Sequence, residues 1–182
     1  MKIFALYTDI LLTRKPDWFD PFVARYNPWG LHVTLKQACF IDDENIGDLK
    51  KRVAQFFSQR KAMSHPMNIR FNTIQTGSNG SHAIIVLAEK NEEIMQLQMD
   101  ICLAFSDYTN YVDPDTERHQ KNFKPHIVIS YSIPESEYQK SLEIVKDGCE
   151  CEGAIHTVIL SVIEQRTIEE AKNPANVTVF AL

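Results

Sequence analysis

Short stretches of this chain alternate apolar and polar residues with a period of two, and others repeat apolar residues every three to four positions. Residues 2–9 set Ile3, Ala5 and Tyr7 against Phe4, Leu6 and Thr8, which predicts a half-buried strand. The stretch Trp29-Gly30-Leu31-His32-Val33-Thr34-Leu35-Lys36 predicts a second strand, running to about Phe40. Strict alternation puts His32, Thr34 and Lys36 on one face of it and Leu31, Val33 and Leu35 on the other. Further strands are predicted over 67–76 and 82–88, joined by a turn at Gly77-Ser78-Asn79-Gly80. Strands are also predicted over His126–Ser130, 154–165 and 176–181. Helical spacing runs through Ile46, Leu49, Val53, Phe56 and Phe57, through Ile94, Leu97, Ile101, Ala104, Phe105 and Tyr108, and through Tyr138, Leu142 and Val145. Asp42–Glu44, Asn91 and Pro134 supply the start signals, and Gly148 a stop.

Strands and helices therefore interleave, yet the hairpin implies antiparallel pairing, so the predicted class is α+β. Residues 13–28 are rich in aromatics and prolines and read as a self-packed loop or a lid. Residues 110–123 are polar and charged and deliver the chain to Pro125. The order histidine strand, helix, two strands occurs twice, loosely. This predicts one bilobal domain over 1–182. Its first lobe is expected mainly from about 30–90 and its second mainly from about 91–165, with the terminal strands completing the sheets. Facing lobes would set His32 and His126 across one cleft.

Composition narrows the function classes. The chain has 182 residues, 44% hydrophobic and 24% charged, enough for a real core. A net charge of −5 and a pI near 5.7 argue against a protein that coats a DNA duplex, but not against binding a small nucleotide or one RNA end. There is no signal-peptide pattern and no apolar run of membrane-spanning length, and Cys39, Cys102, Cys149 and Cys151 form no disulfide framework. A cytoplasmic, reduced, monomeric protein is expected, without membrane association. Cys39 and Cys102 read as core residues. Cys149, Cys151 and His156 lack the second ligand pair of a metal site. His65 and His82 read as surface residues, and His119 is left open.

Two imidazoles in one cleft suit proton transfer near neutral pH, where histidine titrates. One can deprotonate an attacking hydroxyl or water while the other protonates the departing oxygen. Thr34, two residues after His32, can donate a hydrogen bond to a phosphate oxygen as its charge grows. No cofactor is needed. For His32 alone the ordinary reading is a structural histidine; its partner in a similar strand context raises the functional one.

His32-Val33-Thr34-Leu35 and Phe123-Lys124-Pro125-His126-Ile127-Val128-Ile129 resemble the paired signature of the 2H phosphoesterase superfamily, which includes the 2′-5′ RNA ligase-like proteins and cyclic nucleotide phosphodiesterases. The resemblance spans most of the chain. It implies a two-lobed α+β fold with helices packed outside a central cleft, and metal-independent action on 2′,3′-cyclic phosphates, ADP-ribose cyclic phosphates or 2′-5′ linkages. It implies catalytic roles for His32 and His126 and a phosphate role for Thr34. Val128 departs from the pattern, since the family has Thr or Ser there. The alternatives are a non-catalytic nucleotide or RNA-end binding protein on the same fold and, more weakly, a 2′-5′ RNA ligase.

Other residues are expected to support a phosphate-bearing nucleotide or RNA terminus. Lys36, Lys121 and Lys124 are near the histidines, with Lys36 and Lys124 the phosphate contacts. Ser130 stands one pleat beyond Val128, roughly 6–7 Å away. Trp29 and Tyr131 are the favoured base-stacking residues over Trp18 and Phe123. The lysines also fit a purely solubilising role and the aromatics a core role. One lost donor to a charged oxygen corresponds to roughly 10–100-fold in rate. Val128→Thr is therefore expected to raise turnover of a nucleoside cyclic phosphate; a fall in steady-state rate would mean that the valine belongs to a reshaped pocket.

Overall fold

The computed structural model describes residues 1–60, 65–77 and 82–182. Its elements in chain order begin β1 (Lys2–Asp9), β2 (Leu11–Arg14), α1 (Phe19–Tyr26), β3 (His32–Ile41), α2 (Ile46–Gln59), β4 (Met67–Thr76), β5 (Ile84–Ala88) and α3 (Glu92–Ala104). They continue α4 (Thr116–Lys121), β6 (His126–Ser130), α5 (Glu135–Val145), β7 (Cys151–Ile155), β8 (Thr157–Ile163), α6 (Ile168–Lys172) and β9 (Val177–Ala181). The α+β class is as expected, and both sheets are antiparallel: a four-stranded sheet, β3-β1-β8-β9, and a five-stranded sheet, β2-β7-β4-β5-β6.

Several local expectations need correction. The stretch from 13 to 28 is no plain loop or lid: it completes β2 and forms α1, whose Phe19 and Phe22 are buried. The single strand expected over 154–165 is two strands in different sheets, with His156 alone between them. The polar segment before Pro125 contains α4. The turn expected at 77–80 lies, from Ser78 onward, outside the described residues. The sheets also do not divide at residue 90: β3 lies in one sheet and β4 and β5 in the other, while β7 and β8 separate in the same way.

Two corners join the sheets. At one the chain passes from Asp9 of the four-stranded sheet to Leu11 of the five-stranded one, and at the other from Ile155 back to Thr157; the crossings into and out of β3 run through α1 and α2 instead. The corners are adjacent, because Leu11 pairs with Ala154 and the Thr157 hydroxyl donates to the Asp9 carboxylate. The strands that carry the histidines are the facing edges of the two sheets, and they touch.

Alternation gives the four-stranded sheet two different faces. Phe4, Leu6, Val33 and Leu35 are fully or almost fully buried in the core, with Ile94, Leu97 and Ile101 of α3 in the same cluster. The Asn91 side chain caps α3 by accepting from the Ile94 N–H at 3.1 Å. Ile3, Ala5 and Tyr7 face the opposite way, into an open cleft. Among the described residues no helix is long and apolar enough to cross a membrane.

An edge strand has backbone groups that no neighbour pairs. On β3 the segment 110–112 pairs the groups of Ala38 and Phe40, and Gln120 of α4 meets two more: its Oε1 accepts from the Gln37 N–H at 2.7 Å, and its Nε2 donates to the Leu35 carbonyl at 2.9 Å. Truncation would leave both groups buried without partners, since Gln120 is buried. Gln120→Ala is expected to lower stability by about 1–3 kcal/mol, read as an earlier midpoint in urea unfolding with an unchanged slope.

Candidate active site

Both histidines are held by the same device. His32 Nδ1 lies 3.2 Å from the Gly30 carbonyl, and His126 Nδ1 lies 2.8 Å from the Lys124 carbonyl. A carbonyl can only accept, so each Nδ1 carries a proton, and Nε2 is where a neutral ring gains a second proton and a protonated ring loses it. In both cases the acceptor is two residues upstream, where a chain-breaking residue bends the approach. Gly30 takes φ +82°, a conformation that costs glycine nothing and a side chain much; Pro125 restrains the other approach.

Asn27 ties the two approaches together. Its side chain is buried, and Nδ2 donates to the Gly30 carbonyl at 3.1 Å and to the Val128 carbonyl at 2.7 Å. Its Oδ1 accepts from the Trp29 N–H at 3.0 Å. The Gly30 carbonyl thus serves both Asn27 and His32, and one amide fixes the turn before His32 against the strand that carries His126. The sequence signal was an asparagine in the turn Asn27-Pro28-Trp29-Gly30, which favours such side-chain to backbone bonds.

His32 and Thr34 line a cleft of about 430 Å³ together with Trp29, Tyr131 and the exposed face of β1. Trp29 and Tyr131 meet there with ring centroids 6.2 Å apart, so the two aromatics favoured for base stacking do come together. Trp18 instead packs on Phe19 and Phe22, and Phe123 against the core. Tyr7 was not singled out from sequence, although the alternation of residues 2–9 put it on the right face. It pairs with Thr34 across the ladder, and its ring lies 5.2 Å from that of His32. Burial, and secondarily Asp9, pushes its phenol above the ordinary value.

His126 lies beyond the cleft's lining, but near enough for its charge to disfavour protonation of His32. The His32 imidazole is held below its ordinary pKa chiefly by burial; the Gly30 carbonyl opposes this, and His126 adds to it. His126 and Val128 share the half-exposed face of β6, so the position matching Thr34 presents two methyl groups and no hydroxyl.

Two expected phosphate contacts are elsewhere, for one physical reason. In β3, Thr34 pairs with Tyr7 but Lys36 with Leu6, so an extra residue bulges between them and reverses the face. Lys36 is 2% exposed; its Nζ donates to the Tyr108 carbonyl at 2.8 Å and lies 4.8 Å from the centre of the Tyr111 ring. In β6, Val128 pairs with Ile85 but Ser130 with Ile84, another bulge. Ser130 is fully buried, and its Oγ accepts from the Ile84 N–H at 2.9 Å, replacing a ladder bond. Neither side chain reaches the cleft. Lys124 is exposed and contributes its carbonyl to His126; its side chain does not line the cleft. Lys121 pairs with Glu117.

The remaining histidines and cysteines stand apart from the cleft. His82 is not an ordinary surface residue: with φ +45° it stacks on Tyr138 at 4.3 Å and bonds Glu135 and the Ile133 carbonyl. Cys149 and Cys151 are buried with their sulfurs 3.3 Å apart, and His156 is exposed. Sequence reasoning also missed Arg166 and Lys172, which line the cleft from the segment after β8.

Residues 14–166 match the family described as the 2′-5′ RNA ligase superfamily. No curated protein matches the chain. Among solved structures, TT0787 of Thermus thermophilus is similar in fold, with a TM-score of 0.54 at 15% identity over 100% of this chain and 95% of that one. Another, described as a phosphoesterase, gives a TM-score of 0.48 at 12% identity over 100% and 96% of the two chains.

The electrostatics predict an observable titration. In a histidine NMR titration, His32 is expected to lose its proton at a pH below the ordinary value of about 6.5. Replacing His126 with alanine removes a like charge, so the His32 midpoint should rise; an unchanged midpoint would mean that the two rings do not interact.

Proposed function

Because the chain belongs to the 2′-5′ RNA ligase superfamily, whose chemistry is that of phosphoesterases and RNA-end ligases, we propose that it is a phosphodiesterase. It opens a 2′,3′-cyclic phosphate, or cleaves a 2′-5′ linkage, on a nucleotide or RNA end through His32 and His126. The observation that carries this reading is the matched pair of imidazoles, each with Nδ1 fixed to the carbonyl two residues before it and Nε2 left as the proton-exchanging atom.

For a cyclic phosphate the step is as follows. His32, kept neutral by burial, takes a proton from water at Nε2 while the water oxygen attacks phosphorus. The bond from phosphorus to one ribose oxygen breaks, and that oxygen takes the Nε2 proton of His126, which enters the step protonated on both nitrogens and leaves it neutral. Thr34 donates its hydroxyl to a non-bridging oxygen as negative charge builds there. Trp29 and Tyr131 supply an aromatic wall for the base. None of these steps calls on a metal or a cofactor.

Val128 favours a second reading, a nucleotide-end binding protein without turnover. It lacks the hydroxyl that would mirror Thr34, while its carbonyl is taken by Asn27. Ligation to a 2′-5′ linkage would be the reverse chemistry at the same groups.

The test is steady-state hydrolysis of nucleoside 2′,3′-cyclic phosphates. His32→Ala and His126→Ala should each lower kcat by roughly 10²–10⁴-fold while leaving the unfolding curve near that of the wild type. A double variant as active as the wild type would remove both histidines from the mechanism. Calorimetric binding of a nucleoside 2′-phosphate with no product formed over hours would select the binding protein instead.

A further inference from the structure

The cleft is electrically one-sided. Its lining contains no carboxylate, although the chain carries 24 Asp and Glu residues against 19 Lys and Arg. Besides His32, its charged or chargeable cationic groups are Arg166 and Lys172. Both are exposed, and among the described residues neither has an acidic side chain at ion-pair distance. Of the other six arginines, Arg14, Arg25, Arg52, Arg60 and Arg70 are paired, and among the described residues Arg118 alone is not. In a net acidic protein, a concave surface with unpaired cations and no acid concentrates anions.

The chain positions that carry these cations follow a part of the sheet removed from the Tyr7–Thr34 pair. Thr34 pairs with Tyr7, and Ile3, four residues back along β1, pairs with Ile163. That is roughly 13–14 Å of strand. Arg166 follows Ile163 by three residues, and Lys172 ends α6. Tyr131 packs against Trp29 with ring centroids 6.2 Å apart, and the Arg166 charge reaches the Tyr131 phenol. A nucleoside cyclic phosphate has one phosphate, which His32 and Thr34 engage, and it offers nothing anionic to the far end.

We propose that Arg166 and Lys172 form a second anion subsite, which holds a phosphate of the substrate other than the one that reacts. The inference rests on the phosphodiesterase reading for the identity of the reacting end. It makes the substrate a nucleotide or short RNA end with at least two phosphate groups, Arg166 presenting a planar fork to the second and Lys172 a point charge. That second phosphate is either a terminal 5′-phosphate or the internal phosphodiester of a dinucleotide.

Titration calorimetry on the full chain tests this with three product-like ligands: a nucleoside 2′-phosphate, its 5′-phosphorylated form, and a dinucleotide ending in a 2′-phosphate. At least one two-phosphate ligand should bind roughly 10–100-fold tighter than the first. Which one does so identifies the source of the second phosphate. Arg166→Ala combined with Lys172→Ala should abolish the preference, Arg166→Lys should keep part of it, and added salt should narrow it. These side chains are exposed, so the variants should fold normally. Equal binding of all three ligands, no binding of any, or a preference that survives the double substitution would overturn the subsite. Cyclic phosphate hydrolysis measured alongside separates the two readings. Hydrolysis without the preference removes the subsite alone; preference without hydrolysis keeps the subsite and removes the catalytic role.

Discussion

The buried amide of Asn27 is the interaction on which the candidate site depends. Through two donated bonds and one accepted bond it joins the turn before His32 to the backbone of β6 beyond His126. Both histidines are on edge strands of separate sheets, so no ladder of hydrogen bonds sets their relation. A side chain must do so. The amide is well suited because it both donates and accepts, and because its donor shares the Gly30 carbonyl with the His32 ring. The orientation of one catalytic candidate is thus mechanically linked to the placement of the other.

Much of the arrangement was legible in the sequence because the period-two rule is local. It located β1, β3, β4, β5, β6 and β9, and it put Thr34 beside His32 and Val128 beside His126. The same rule failed four residues after each histidine, at Lys36 and Ser130, because each strand bulges just past its second site position. A bulge leaves no reliable mark in a single sequence, since both faces of these strands are partly buried and either residue type can be accommodated. The sheet assignment was unreadable for a different reason. Alternation says that a strand has two faces, but not which strand it pairs with. The corners at Ile10 and His156 occupy one residue each, too short to register as loops.

The repeated features sharpen what is unequal between the two halves. Carbonyl-held imidazoles, bulged strands and chain-breaking approaches occur on both sides, whereas the hydroxyl occurs only at Thr34. The charge is unequal too: the wall of the four-stranded sheet gathers Tyr7, Arg166 and Lys172. The four-stranded sheet's side of the cleft is therefore polar and cationic, while the half-exposed face of β6 offers an imidazole and a valine.

The paired corners also govern when the cleft can exist. The four-stranded sheet draws β1 and β3 from the first 41 residues and β8 and β9 from residues 157–181. During synthesis, β1 and β3 can pair early but must wait for more than a hundred further residues before β8 closes the other side of β1. Until then β1 presents an unpaired edge. The five-stranded sheet likewise lacks its link from β4 to β2 until β7 arrives. The fold is thus dominated by late, long-range closure, which makes for slow folding and a long exposure of nascent strand edges.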